Sequence, residues 1–126
     1  GINVGLFCST PSVPVSRNLG RKQAMELLLT GHFIDAHTAL QWGLVNRVVP
    51  ASRLDQEVAE LAGSIMSKSW VAVATGKRMF YKQLELPLES AYDYASGVMA
   101  GNMMADDVEE GVDAFMQKRT PVWKHQ

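Results

Sequence analysis

The chain has 126 residues, 47% of them hydrophobic and 20% charged, with a formal net charge of −1. That is one domain's worth of chain at most, and a compact domain of this size buries about two thirds of its unfolded surface. The near-neutral balance excludes an electrostatic case for nucleic acid or an anionic membrane, and no apolar run reaches the roughly 18 residues of a membrane span. One cysteine, Cys8, rules out an internal disulfide framework and suits a reducing compartment.

In chain order, Ile2, Val4, Leu6 and Phe7 form an apolar run that reads as a strand, followed by a Ser/Pro/Val-rich loop, "STPSVPVSR". "RKQAMELLLTG" reads as a helix, with Ala24, Leu27 and Leu28 at helical spacing and Gly31 as its stop. "DAHTALQWGL" reads as a second helix, capped by Asp35 and ended by Gly43. "VNRVVP" is a β-branched run read as a strand or an extended link.

Ser52 and Asp55 stand at capping-box spacing ahead of a helix whose apolar stripe is Leu54, Val58, Leu61 and Ile65. "WVAVATGKRMFYKQL" reads as a further helix, despite its β-branched start and Gly76. Past Pro87, Leu88, Ala91, Ala95 and Val98 recur at helical spacing. The last helix, "DDVEEGVDAFMQKR", has acids in its first turn and is read as carrying Lys118 and Arg119 in its last, complementing the helix dipole at both ends. The expected fold is mostly α, with a short strand or two at the front.

Few residues read as chemistry. Cys8 has no surrounding motif and reads as a small buried hydrophobe. His32 and His37 are five apart, which misses the one-face spacing of a zinc helix, and His125 lies at the chain's end, so no metal site is expected. Asp106, Asp107, Glu109 and Glu110 read as caps and dipole partners rather than a general acid/base set. Lys118, Arg119 and Lys124 beside Phe115 and Trp123 could hold a phosphate and stack an aromatic base, or could be a solvated basic helix end.

Two stretches carry a resemblance. "AMELLLTGHFIDAHTALQWGLVNRVVP" resembles the A-x-E-x-x-L-T-G … I-x-A-x-x-A-x-x-x-G-L-V-x-x-V-V-P stretch of the enoyl-CoA hydratase/isomerase (crotonase) family. "DDVEEGVDAFMQKRTPVW" resembles that family's D-x-x-E-G-x-x-A-F-x-x-K-R-x-P-x-[FW], through Asp107, Glu110, Gly111, Ala114, Phe115, Lys118, Arg119, Pro121 and Trp123. The resemblance runs from Gly1 to Gln126 and is to the family's C-terminal half.

It implies the C-terminal part of a ββα spiral: residues 1–50 closing the core, and 51–126 forming a helical region that assembles trimers, often paired into hexamers. It implies acyl-CoA as ligand, enolate stabilisation by two backbone N–H groups, and no metal or redox cofactor. Phe115 and Lys118 fall on the family positions that contact the nucleotide end of CoA. The family's P-E-x-x-x-G entrance, aligned through Gly5, places its hydratase glutamate at Gly1. Glycine cannot move a proton, so two-carboxylate hydration is not expected here. The other catalytic glutamate and both oxyanion donors would precede Gly1, so the chain is expected to be an inactive fragment, intracellular, cytoplasmic if bacterial and in the mitochondrial matrix if eukaryotic. The alternatives are a CoA-binding protein without turnover and a helical oligomerisation module alone.

Overall fold

The computed structural model describes residues 1–124 and divides into two compact units, Gly1–Leu54 and Asp55–Gln126. The first holds a 3₁₀ turn, Ile2–Val4, and helices α1 (Ser9–Asn18), α2 (Arg21–Thr30) and α3 (Ala36–Gln41). The first ends in a 3₁₀ turn at Ala51–Arg53 and the first residue of α4 (Leu54–Met66); the second holds the rest of α4, α5 (Trp70–Gln83), α6 (Leu88–Asn102) and α7 (Asp106–Met116).

The described residues contain no β-strand, which corrects the expectation of a strand or two at the front. Ile2–Val4 winds into a turn closed by Val4 N donating to Gly1 O at 2.9 Å. "VNRVVP" runs without helix or strand. Apolar and β-branched residues favour a pleat only where a neighbouring strand supplies the ladder, and none lies alongside either run.

The "STPSVPVSR" loop is also corrected, to helix α1. Pro11 lies within the first turn, where backbone N–H groups have no intrahelical partner to lose. Pro14 does remove an interior donor, and Asn18 Nδ2 donates to Pro14 O at 2.8 Å on the following turn. Ser12 and Ser16 donate their hydroxyls back to Ser9 O and Val13 O, at 2.6 and 3.1 Å.

The signals at Asp35 and Gly31 act where expected. Asp35 caps α3, its Oδ1 accepting from Thr38 N at 2.7 Å, and that hydrogen bond holds the Asp35 carboxyl below its usual range. Gly31 ends α2 with φ +64°, and the turn at Ile2–Val4 packs on that helix end, Asn3 Nδ2 donating to Gly31 O at 3.4 Å. The Ser52–Asp55 capping box does not form, because the chain reaches α4 through the 3₁₀ turn, with Arg53 N donating to Pro50 O at 2.8 Å.

In the second unit α5 and α6 form a helical hairpin across residues 84–87, with Ala91 buried and the Lys82 ammonium 4.6 Å from the Tyr94 ring centre. Most buried positions of the two units carry small side chains: Ala24 and Ala39 with Leu19 in the first, and Ser69, Ala91, Asp107 and Ala114 in the second. The stripe on α4 is not inward: Leu54, Val58, Leu61 and Ile65 are all exposed.

Gly31→Ala is expected to destabilise the first unit by about 1–2 kcal/mol in chemical denaturation, since the added Cβ meets both a positive φ and filled space. That Cβ would stand 2.6 Å from Asn3 Oδ1 and 2.7 Å from Ile2 Cγ2. An unchanged denaturation midpoint would show that the turn gives way freely.

Candidate functional site at the end of α7

The residues of "DDVEEGVDAFMQKRTPVW" divide into two groups in space. One group builds a clasp that folds residues 117–124 back along α7 and onto the α4–α5 junction. Asp107, 4% exposed, lies at its base. Its Oδ2 accepts from Ser69 Oγ at 2.5 Å and its Oδ1 from Lys124 N at 2.7 Å. Ser69 in turn caps α5, its hydroxyl oxygen accepting from Ala72 N at 3.3 Å. One carboxyl group therefore joins α7, the start of α5 and the returning chain.

Glu110, one turn further on, forms a two-pronged ion pair with Arg119, at 2.6 Å to Nη1 and 2.8 Å to Nη2. Its Oε1 also accepts from Val122 N at 2.7 Å. Trp123 donates Nε1 to Ser67 O at 2.8 Å, just past the end of α4. Its ring edge packs over Gly111, 3.4 Å from where a Cβ would stand there, an ordinary van der Waals separation. Ala114, 1% exposed, faces inward.

Two motif residues take no part in this. Phe115, in the last turn of α7, is 82% exposed. Lys118 is exposed, and among the described residues its ammonium makes no hydrogen bond or ion pair. Neither Lys118 nor Arg119 lies in the last helical turn as expected, since α7 ends at Met116.

Lys118 occupies the first position beyond the cap, with φ +53°. Lys118 N donates to Phe115 O at 3.2 Å and Arg119 N to Ala114 O at 3.0 Å, the paired bonds of a Schellman ending. Glycine ordinarily fills that left-handed position, and an L side chain there costs about 1 kcal/mol.

The remaining candidates are not brought together. Lys124 lies 3.9 Å from Asp106 and gives its backbone N–H to Asp107. Arg119 and Trp123 are committed to the clasp, so the basic and aromatic group seen in the sequence reduces to Phe115 and Lys118. Cys8 is half-buried, while His32 and His37 are exposed. His125 lies outside the described residues, and among the described residues no three metal-ligating groups cluster.

At Gly1, an added Cβ would collide with Cys8 Sγ and stand 2.7 Å from Leu6 O. A side chain at that position needs Cys8 and the Leu6 backbone to move. Sequence reasoning missed the bonds Ser69–Asp107, Glu110–Arg119 and Trp123–Ser67. Their partners lie 38, 9 and 56 positions apart, beyond any helical period.

A family model described as enoyl-CoA hydratase/isomerase matches residues 1–126. The rat protein named enoyl-CoA hydratase domain-containing protein 3, mitochondrial, is 50% identical over 125 residues, which is 99% of this chain and 42% of that protein. A crystal structure of an enoyl-CoA hydratase from Mycobacterium smegmatis superimposes with a TM-score of 0.94 at 54% identity, covering 98% of this chain and 48% of that one. Human enoyl Coenzyme A hydratase domain-containing protein 3 gives 0.92 at 48% identity, covering 98% and 49%. The chain spans less than half the length of each of these proteins.

The ion pair sets a pH dependence. Hydrogen bonds from Arg119 and then from Val122 N hold the Glu110 carboxyl down at about 2. The ordinary glutamate value is about 4.3, so the clasp's contribution is complete above that pH and is lost as pH falls from there towards 2. Denaturation midpoints measured down this range should fall more for the parent than for Glu110→Gln, which has no proton to take up. Parallel acid profiles would show that Glu110 contributes nothing to stability.

Proposed function

Because the chain belongs to the enoyl-CoA hydratase/isomerase family, we propose that it supplies the nucleotide-end wall of an acyl-CoA site in a longer crotonase. The observation that carries this reading is the division of the motif at α7: the clasp uses the other polar groups and leaves Phe115 and Lys118 presented to solvent. A ring and an unpaired ammonium three residues apart suit an aromatic base and a phosphate.

The reading assigns the thioester chemistry to residues outside 1–126. Enolate stabilisation needs backbone donors aimed at the developing oxyanion, worth about 3–4 kcal/mol each, and a proton shuttle of matched pKa. Gly1, at the position aligned with the hydratase glutamate, offers no such shuttle. Acyl-CoA is then the ligand, and no metal is assigned a role. The relatives named mitochondrial support an intracellular setting with access to an acyl-CoA pool.

A second reading, that residues 51–126 are the assembly region of a homotrimer or hexamer, is favoured by a specific feature. Val58, Ile65 and Trp70 are more than half exposed, and an open apolar recess of about 490 Å³ is lined by Ile65, Met66, Lys68, Trp70 and Val73. Apolar surface of this kind is ordinarily covered by a neighbour. The two readings are compatible, since a site wall and an interface can share one helical layer.

Two measurements follow. In the full-length protein, Lys118→Glu should weaken CoA binding by about tenfold or more through charge reversal at a phosphate, with Lys118→Arg close to the parent. Unchanged affinity in calorimetric titration would remove Lys118 from the site. The isolated 126-residue chain should self-associate in analytical ultracentrifugation, and Val58→Glu with Ile65→Glu should shift it towards monomer. A parent chain that stays monomeric at tens of micromolar and binds no apolar dye would overturn the assembly reading.

A further inference from the structure

We infer that Glu110 and Arg119 are positioning residues for the ligand: their ion pair holds the chain beyond α7 in the one backbone state that presents Lys118, without either side chain touching what Lys118 binds. The inference rests on the reading of Lys118 as a phosphate contact and extends it to the residues that hold it in place.

Three observations lead there. Lys118 stands at φ +53°, where glycine or asparagine is the usual choice, in a segment otherwise free of left-handed non-glycine residues. A side chain kept against its backbone preference marks a place where the surroundings over-determine the geometry, and such places gather at binding sites. Arg119, the next residue, is anchored at both ends. Its N–H donates to Ala114 O at 3.0 Å, and its guanidinium reaches back to Glu110 at 2.6 and 2.8 Å.

Arg119 Nε also donates to Gln117 Oε1 at 2.9 Å, so the residues on both sides of Lys118 are tied to one another. Glu110 then accepts from Val122 N at 2.7 Å, which closes the loop below Lys118. With its flanks held, Lys118 has little freedom to relax towards the right-handed region. Among the described residues its ammonium makes no hydrogen bond or ion pair.

The arrangement separates two properties that usually move together. Lys118→Gly keeps the left-handed turn at lower strain, so it should raise the melting temperature while removing the ammonium. Glu110→Gln or Arg119→Lys keeps the ammonium while loosening the turn.

The test is a double-mutant cycle on CoA binding in the full-length protein, by calorimetric titration at two salt concentrations. Lys118→Gly is expected to lose about tenfold in affinity, together with part of the salt dependence, as one phosphate contact is removed. Glu110→Gln and Arg119→Lys are expected to show a smaller loss with the same direction of change in salt dependence. Adding either to Lys118→Gly should cost nothing more, because a residue that acts through Lys118 has nothing left to position.

Losses that add in the double variants would overturn the inference, since Glu110 or Arg119 would then be acting elsewhere. Parent-like affinity in both Glu110→Gln and Arg119→Lys would overturn it too, while leaving Lys118 in the site if Lys118→Gly still binds weakly. Parent-like affinity in Lys118→Gly itself would remove both this inference and the phosphate reading. Should Glu110→Gln fail to fold, Arg119→Lys, which keeps the charge and loses the two-pronged geometry, completes the cycle.

Discussion

A carboxyl group shut away from water must find donors, and the second unit of this protein is arranged around that requirement at Asp107. Leaving such a group unsatisfied costs about 1–3 kcal/mol or more, a large share of a small domain's stability. Its donors come from two separate places, the Ser69 hydroxyl at the start of α5 and the Lys124 backbone N–H on the returning chain. Satisfying Asp107 therefore fixes where α5 begins relative to α7 and obliges the chain after α7 to turn back. Glu110 and Trp123 then lock that return at two further points, on Arg119 and on the Ser67 carbonyl. The left-handed Lys118 is the corner the chain turns to get there.

The polar clasp stands beside a small apolar core. The buried positions of the second unit are Ser69, Ala91, Asp107 and Ala114, while large side chains such as Val58, Trp70, Leu88, Phe115 and Met116 stay exposed. Small residues let helices approach closely but bury little area each, and burial stabilises by about 25 cal/mol per Å². Directional bonds hold the geometry, and apolar faces are left over for neighbours. A sequence motif that looks like a binding signature is thus mostly a folding device, with Phe115 and Lys118 left exposed beside it.

The legible features were those whose cause lies within one helical turn. Gly31 and Gly43 stop their helices with positive φ, and Asp35 caps α3 through Thr38 N. Helix α6 follows the apolar spacing of Leu88, Ala91, Ala95 and Val98 seen along the chain. Misreadings came from residues whose average preference differs from their local use. Pro11 and Pro14 pointed to a loop, yet one lies in a helix's first turn and the other stands inside the helix without its N–H donor. Ile2 and Val4 pointed to a strand, but a strand exists only with a partner and none is present among the described residues; of the two readings of the 45–50 run, strand or link, the structure has the link.

By itself the sequence determined the helical character, the places where most helices start and stop, and membership of the enoyl-CoA hydratase/isomerase family through two residue patterns. Those are properties of short-range sterics and of residue order, and both can be read along a line. Only the tertiary structure decided which motif residues are structural and which are free. Arg119 and Trp123 look as available as Phe115 and Lys118 until the chain folds back. The stripe on α4 shows the same limit: periodicity identifies a face, but whether that face is covered depends on what packs against it. Burial and hydrogen bonding are relations between distant parts of the chain, and only folding brings those parts together.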